Sequence, residues 1–264
     1  MLTQTFCCFD GISASGERRL WSQACLEWRD LLVLEPAALS RGKLARVREQ
    51  IAQAEVALSA GCLDYFLNRL SNPDKVRVLP HVLEAAGFLD IETSGLGADA
   101  EVTTVALVCG GRPRIYIRGR NLDNLLRDLA DVRLLVTYNG SSFDLPRLRK
   151  AFRIDLAVPH LDLRYVLEAL GYRGGLKRCE HQLGVRRDGE ALTGADAVVL
   201  WESYQAGDEE ALETLVRYNL QDAVSLQVLA VKAYNLVMGS HPRPKRLHMP
   251  RAIHLDRIGL EEAL

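Results

Sequence analysis

The stretch Phe88-Leu89-Asp90-Ile91-Glu92 decides the reading of this chain. Its length and apolar content predict a short β-strand. Side chains alternate along a strand, so Asp90 and Glu92 leave one face of the sheet while Leu89 and Ile91 leave the other. Two carboxylates side by side repel each other unless cations neutralise them. The pair therefore reads either as a solvated strand end or as half of a cation site. The turn-rich Thr93-Ser94-Gly95-Leu96-Gly97 follows directly, so the acids stand at the exit of the strand.

Downstream, residues 101–109 are β-rich, and Gly110-Gly111 predicts a hairpin into a strand over 114–117. Leu122, Leu125, Leu126 and Leu129 share one helical face within 121–130. A buried strand over 133–138 comes next, then a helix over 145–152, a strand over 158–161, a helix over 163–170 and helical sequence to about Met238. A strand meander followed by alternating helices and strands predicts an α/β fold, a mixed sheet with helices on its faces. Upstream, the first 80 residues read as helical. One helix is expected over 18–34, another follows Ser40, and Ser71-Asn72-Pro73-Asp74 marks a turn or helix start. Their Trp and Leu stripes read as core rather than as a binding surface. The expected organisation is a helical region over 1–80, an α/β domain over 81–238 and a basic, Pro-containing tail over 239–264.

Composition narrows the function. Lys and Arg total 33 against 34 Asp and Glu, which excludes a polycation that grips nucleic acid over its whole surface but leaves room for a local basic track. No apolar run reaches the length of a membrane span, and the N-terminus lacks the pattern of a signal peptide. The expectation is a cytoplasmic protein that does not enter a membrane. Cys7, Cys8, Cys25, Cys62, Cys109 and Cys179 show no Cys-x-x-Cys spacing, so they are expected to be reduced thiols rather than zinc ligands or disulfides.

Two further acids fall at informative places. Asp144 stands at a helix entrance after the turn Asn139-Gly140-Ser141-Ser142-Phe143, where by itself it reads as a first-turn acid facing the helix dipole. Tyr218 and Asp222 are four apart in the C-terminal helical stretch, hence on one helical face.

Together these residues resemble the three motifs of the DnaQ-like 3′–5′ exonucleases, which have a ribonuclease-H-like fold. Asp90-Ile91-Glu92-Thr93 is similar to the first motif, Asn139 through Asp144 to the second, and Tyr218-x-x-x-Asp222 to the third in its tyrosine form, the DEDDy group. Within that superfamily the closer likeness is to bacterial ribonuclease-H-like proteins of the YprB type. It is carried by His160-Leu-Asp162-Leu, by the run from Gly175 to Gly184 and by Leu200-Trp201-x-x-Tyr204. The N-terminal Gly11-Ile12-Ser13 departs from the Gly-Ile-Gly typical of such proteins.

The resemblance implies hydrolysis of phosphodiester bonds at single-stranded 3′ ends, DNA or RNA, with two Mg²⁺ or Mn²⁺ ions. Asp90, Glu92, Asp144 and Asp222 would hold the metals. Tyr218 would orient or help deprotonate the attacking water. Candidate substrate contacts are Leu96, Asn139, Phe143, Arg147, Lys150, Lys177 and Arg178. For Leu96 and Phe143 packing is the equal alternative, and Asn139 either holds its turn or touches substrate. The basic clusters, including Arg186 with Arg187 and Arg243 through Arg251, read as solvated faces or as parts of a strand track. Asp162 either caps the following helix or supports the site from behind, while His160 and His181 read as structural. Two alternatives stay open: an endonuclease or structure-specific ribonuclease with the same acids, and a nucleic-acid-binding or scaffold module without essential catalysis. Protein partners are not specified by any motif.

Overall fold

The computed structural model describes residues 2–97, 99–187 and 192–253. The chain divides into two compact units, Met1–His81 with Ala233–His248, and Val82–Lys232 with Met249–Leu264.

Among the described residues, the segment before the sheet carries the α-helices α1 (Ala14–Ser22), α2 (Trp28–Val33), α3 (Arg41–Ser59) and α4 (Leu63–Leu67). The single helix expected over 18–34 is broken. Ala24 takes a left-handed conformation (φ 63°), the Cys25 N–H turns back to the Leu20 carbonyl, and a capping box between Glu27 and Asp30 starts a new helix. The apolar stripes do form core. Trp28 is buried, stacks on Phe66 and donates its indole N–H to the Thr5 carbonyl at 2.9 Å. Asn72–His81 is a 3-10 helix. From it Arg77 forms a two-pronged pair with Glu17, both contacts 2.9 Å, and a third contact to Asp74 at 2.8 Å. The tail docks through residue 247: His241 packs edge-on against Trp21, and Asn235 exchanges two hydrogen bonds with the backbone of Leu247. Residues 254–264 of the expected tail lie outside the described part.

The second unit is built on a five-stranded sheet in the order β3-β2-β1-β4-β5. Its strands are β1 (Ala86–Thr93), β2 (Val102–Cys109), β3 (Arg112–Ile117), β4 (Leu134–Thr137) and β5 (His160–Asp162). Pairing is antiparallel from β1 to β3 and parallel across β1, β4 and β5, so the sheet is mixed, as expected. Gly110 and Gly111 both have positive φ, which a two-residue hairpin turn of this hand requires. The helices are α5 (Leu125–Leu129), α6 (Asp144–Phe152), α7 (Leu163–Ala169), α8 (Leu176–Gln182), α9 (Gly194–Gln205) and α10 (Glu209–Met238). Two of the boundaries that differ from expectation have a local cause. The helix expected over 121–130 opens as a 3-10 turn, because the Asn121 side chain is occupied with the backbone of Ile115 and Ile117. The strand expected over 158–161 lies at His160–Asp162, since Pro159 has no N–H to pair.

Leu89 and Ile91 enter a core formed with Val105 and Leu107 of β2, Leu125 and Leu129 of α5 and Leu145 and Leu148 of α6. Alternation places Asp90 and Glu92 on the opposite face. Among the described residues no helix is long and apolar enough to cross a membrane.

Candidate active site

Three elements bring acids to the exit of β1. The strand itself supplies Asp90 and Glu92, both half-buried, and its register with β2 slips by a bulge between Glu92 and Thr93. Bulges re-aim the side chains beside them. From α10 comes Asp222, 6% exposed. Asp90, Glu92 and Asp222 each offer a carboxylate oxygen within 4.8 Å of the others. Asp144, at the first turn of α6, is buried and lies outside that 4.8 Å group, yet its charge is felt at both Asp90 and Glu92.

The electrostatics are those of an acid cluster short of positive charge. Burial raises the Asp90 carboxyl well above its ordinary range, reinforced by Asp222, Glu92 and Asp144 and opposed by a hydrogen bond from Asn219. Glu92 is raised by burial and then by Asp222 and Asp144, with Lys177 opposing. Burial also raises Asp144 and Asp222, and Arg187 pulls Asp222 back. Such a set resists ionisation until cations join it. The donors are all hard oxygens, without Cys or His, which suits Mg²⁺ or Mn²⁺ and not a thiolate-bound metal. The residues present therefore fit divalent ions.

Tyr218 stands beside the cluster on α10, one turn before Asp222. Its hydroxyl accepts from the Lys177 ammonium at 3.2 Å, and that ammonium lies 4.5 Å from the ring centroid. Burial, then Asp222, Glu92 and Asp90, raise its phenol, so the hydroxyl keeps its proton at neutral pH. Lys177, at the start of α8, is thus brought to the acids.

The loop that delivers Asp144 is held from behind. Asp162 accepts from the N–H groups of Asn139 (2.8 Å), Ser141 (3.0 Å) and Arg164 (3.1 Å). It caps α7 and braces the loop with one carboxylate. Asn139 adopts φ 65° and accepts from Arg164 at its side-chain oxygen. At Gly140 any Cβ would lie 2.0 Å from the Thr137 hydroxyl, so only glycine fits. His160 pairs with the Thr137 hydroxyl at 2.9 Å, a structural contact; His181 is exposed.

The remaining candidates separate. Arg147 lies 3.8 Å over the Phe143 ring and donates to the Leu96 carbonyl at 3.2 Å. Phe143 packs against the core beneath β1. Leu96 is 82% exposed and projects from the loop after β1. Lys150 and Arg178 are exposed on α6 and α8.

Two contacts escape sequence reasoning. Asn219, fully buried, donates its amide to Asp90 Oδ2 at 2.7 Å. Arg187 grips Glu180 with two contacts (2.5 and 2.8 Å) and forms an ion pair with Asp222 Oδ1 at 2.5 Å. Asn219 was signalled only by its place between Tyr218 and Asp222. Arg187 had no signal beyond its charge.

The profile of the RNase_H superfamily matches residues 87–234. No curated protein matches the chain. Among solved structures, the family B DNA polymerase from the hyperthermophilic archaeon Pyrobaculum calidifontis aligns with a TM-score of 0.44 and 17% identity, over 57% of this chain and 26% of the polymerase chain. The chain thus matches about a quarter of that protein's length.

Proposed function

Because the chain belongs to the RNase_H superfamily, whose profile spans more than half of it, we propose that it is a metal-dependent nuclease, and specifically a 3′–5′ exonuclease of the DEDDy, YprB-like kind. Single-stranded DNA or RNA is its substrate, and the cytoplasm its place of action. The observation that carries the reading is the meeting of Asp90, Glu92 and Asp222 within 4.8 Å, in a buried setting where Arg187, Lys177 and Asn219 offset only part of their repulsion.

Asp90, Glu92 and Asp222 hold the cations, with Asp144 completing the site from α6. Two such ions supply charge neutralisation and a water that ionises near neutral pH. Asn219 occupies one oxygen of Asp90 and leaves the other for a cation. Arg187 does the same for Asp222, tying α8 to α10. The Tyr218 hydroxyl, protonated and fixed by Lys177, orients the attacking water. The Lys177 ammonium faces the same space and pairs with a non-bridging phosphate oxygen. Leu96, exposed at the mouth, packs on a terminal base. Arg147, Lys150 and Arg178 steer the backbone, and Asn139 is held for a contact at its amide. The proposed organisation is a helical region over residues 1–80, the nuclease domain over 81–238 and a basic, Pro-containing tail from 239.

The test uses purified protein with Mn²⁺ or Mg²⁺ and 5′-labelled single strands, DNA and RNA, with free or blocked 3′ ends. A metal-dependent ladder that shortens only from free ends is the expected result. Cleavage of blocked strands would replace the exonuclease with an endonuclease. Tight binding without cleavage would favour a binding module.

A further inference from the structure

We propose that a cavity of about 480 Å³, whose walls continue along the chain into the candidate active site, is a second substrate place, which holds a nucleotide unit of the strand away from the cut. The inference rests on the nuclease reading and extends it to a site that the catalytic motifs do not define.

The cavity lies at the C-terminal ends of the parallel strands β4 and β5, where open α/β sheets bind ligands. Tyr138 and Asn139, directly after β4, form one wall; Arg164 and Glu168 of α7 form the next; Tyr172, Arg173 and residues 174–176 close it. Two of these walls continue into the candidate active site. The Tyr138–Asn139 wall is the start of the loop that ends at Asp144. The 174–176 wall is the start of α8, which carries Lys177 to Tyr218. The cavity is thus continuous, along the chain, with the elements that carry Asp144 and Lys177.

The lining specifies a ligand class. Two guanidinium groups face one carboxylate, Glu168, so the cavity is net positive and prefers a phosphate. Tyr138 is pinned as a wall because its hydroxyl donates to the Gly174 carbonyl, and the half-buried Tyr172 also lines the cavity. Such phenol faces stack bases without regard to sequence. The Asn139 side-chain oxygen already accepts from Arg164 (2.5 Å) and Ser142 (2.9 Å), which leaves its NH₂ as a donor. Glu168 adds an acceptor for a sugar hydroxyl or exocyclic amine. Phosphate-binding cations, an aromatic face and one donor–acceptor pair describe a nucleotide, and the volume lies within the range of small-ligand pockets. An apolar ligand would strand both arginines.

Arg173→Glu and Tyr172→Ala test this, since both residues lie on the loop before α8 and neither belongs to the residues assigned to catalysis. Binding of an octanucleotide is measured in EDTA, which stops hydrolysis, and KM and kcat are measured with Mn²⁺ for an octanucleotide and a dinucleotide. The expected result is an octanucleotide Kd and KM about tenfold higher, a salt slope reduced by about one for Arg173→Glu, unchanged octanucleotide kcat and a much smaller loss on the dinucleotide. Melting curves matching the wild type verify the fold. Equal losses on both lengths, or none on either, would overturn the proposal. So would competition by a nucleoside monophosphate as strong as by the octanucleotide, which would make the cavity a free-nucleotide site. If the wild type cleaves nothing, the nuclease reading falls while the EDTA binding still decides the cavity.

Discussion

Asn219 donates its side-chain amide to Asp90 Oδ2 at 2.7 Å, joining residues 129 positions apart in sequence. Asn219 is fully buried, and its hydrogen bond favours the ionised form of Asp90. Asn219→Leu removes the donor while keeping the branching of the side chain. Partners that orient metal-binding carboxylates typically contribute ten- to a hundredfold, so the variant should need about that much more Mn²⁺ to reach half its maximal rate. A metal titration identical to the wild type would sink the role.

Asp90→Asn should abolish cleavage and leave strand binding intact. It should also stabilise the metal-free protein, because it removes one member of a mutually repelling set. A gain of about 1 kcal/mol corresponds to a melting temperature about 2–4 °C higher in EDTA. Mn²⁺ at a hundred times its Kd should add about 2.7 kcal/mol to the wild type and far less to the variant. Calorimetry with and without EDTA reads both effects.

Arg187→Leu should destabilise more than either change above. Glu180 has a side chain only 2% exposed and loses both contacts to the guanidinium. Breaking such a buried pair from one side costs about 3–5 kcal/mol. Urea unfolding should show this as a lower midpoint, and adding Glu180→Leu should recover most of it. Failure of the double variant to recover would mean that Asp222, not Glu180, dominates.

The pH dependence of the first unit follows from His81 and His241. Burial lowers both, and each uses a ring nitrogen as an acceptor, His81 from the Leu2 N–H and His241 from the Arg243 N–H. Unfolded histidine titrates near 6.5. Their contribution is therefore complete above about pH 6.5 and is lost as pH falls through that value, levelling below the lowered folded values. The raised carboxylates have the opposite sign, so the useful quantity is the difference between wild type and His81→Gln. That difference should shrink on acidification; a constant difference from pH 8 to pH 5 would exclude the assignment.

Tyr218→Phe should lower kcat with little change in KM. The phenol is raised by burial and the neighbouring acids and bonded to Lys177, so the proposed mechanism assigns it a protonated, orienting role. Positioned proton-handling groups contribute about 10²–10⁴-fold, and an orienting role belongs at the low end. Steady-state kinetics at saturating Mn²⁺ makes the measurement.

The fold was legible where local chemistry and periodicity agree. Alternation along β1 placed Leu89 and Ile91 in the core and turned Asp90 and Glu92 away, and the glycine pair at 110–111 marked the hairpin. The convergence of β1 with α10 was legible only through the motif likeness, since nothing local to Asp222 says which strand it meets. The break at Ala24 was hidden because alanine favours helices and only the restart at Glu27 and Asp30 competes with it. Arg187 and Asn219 were illegible as site residues, because their partners are fixed by tertiary packing.

The single carboxylate of Asp162 fixes three amides drawn from two segments, the 139–141 loop and the start of α7. That makes the loop a late product of assembly: its shape depends on β5 having docked beside β4 as well as on the left-handed Asn139 and the glycine at 140 within it. On the proposed reading, secondary structure in a refolding chain should therefore precede Mn²⁺ retention, which would report completed parallel pairing.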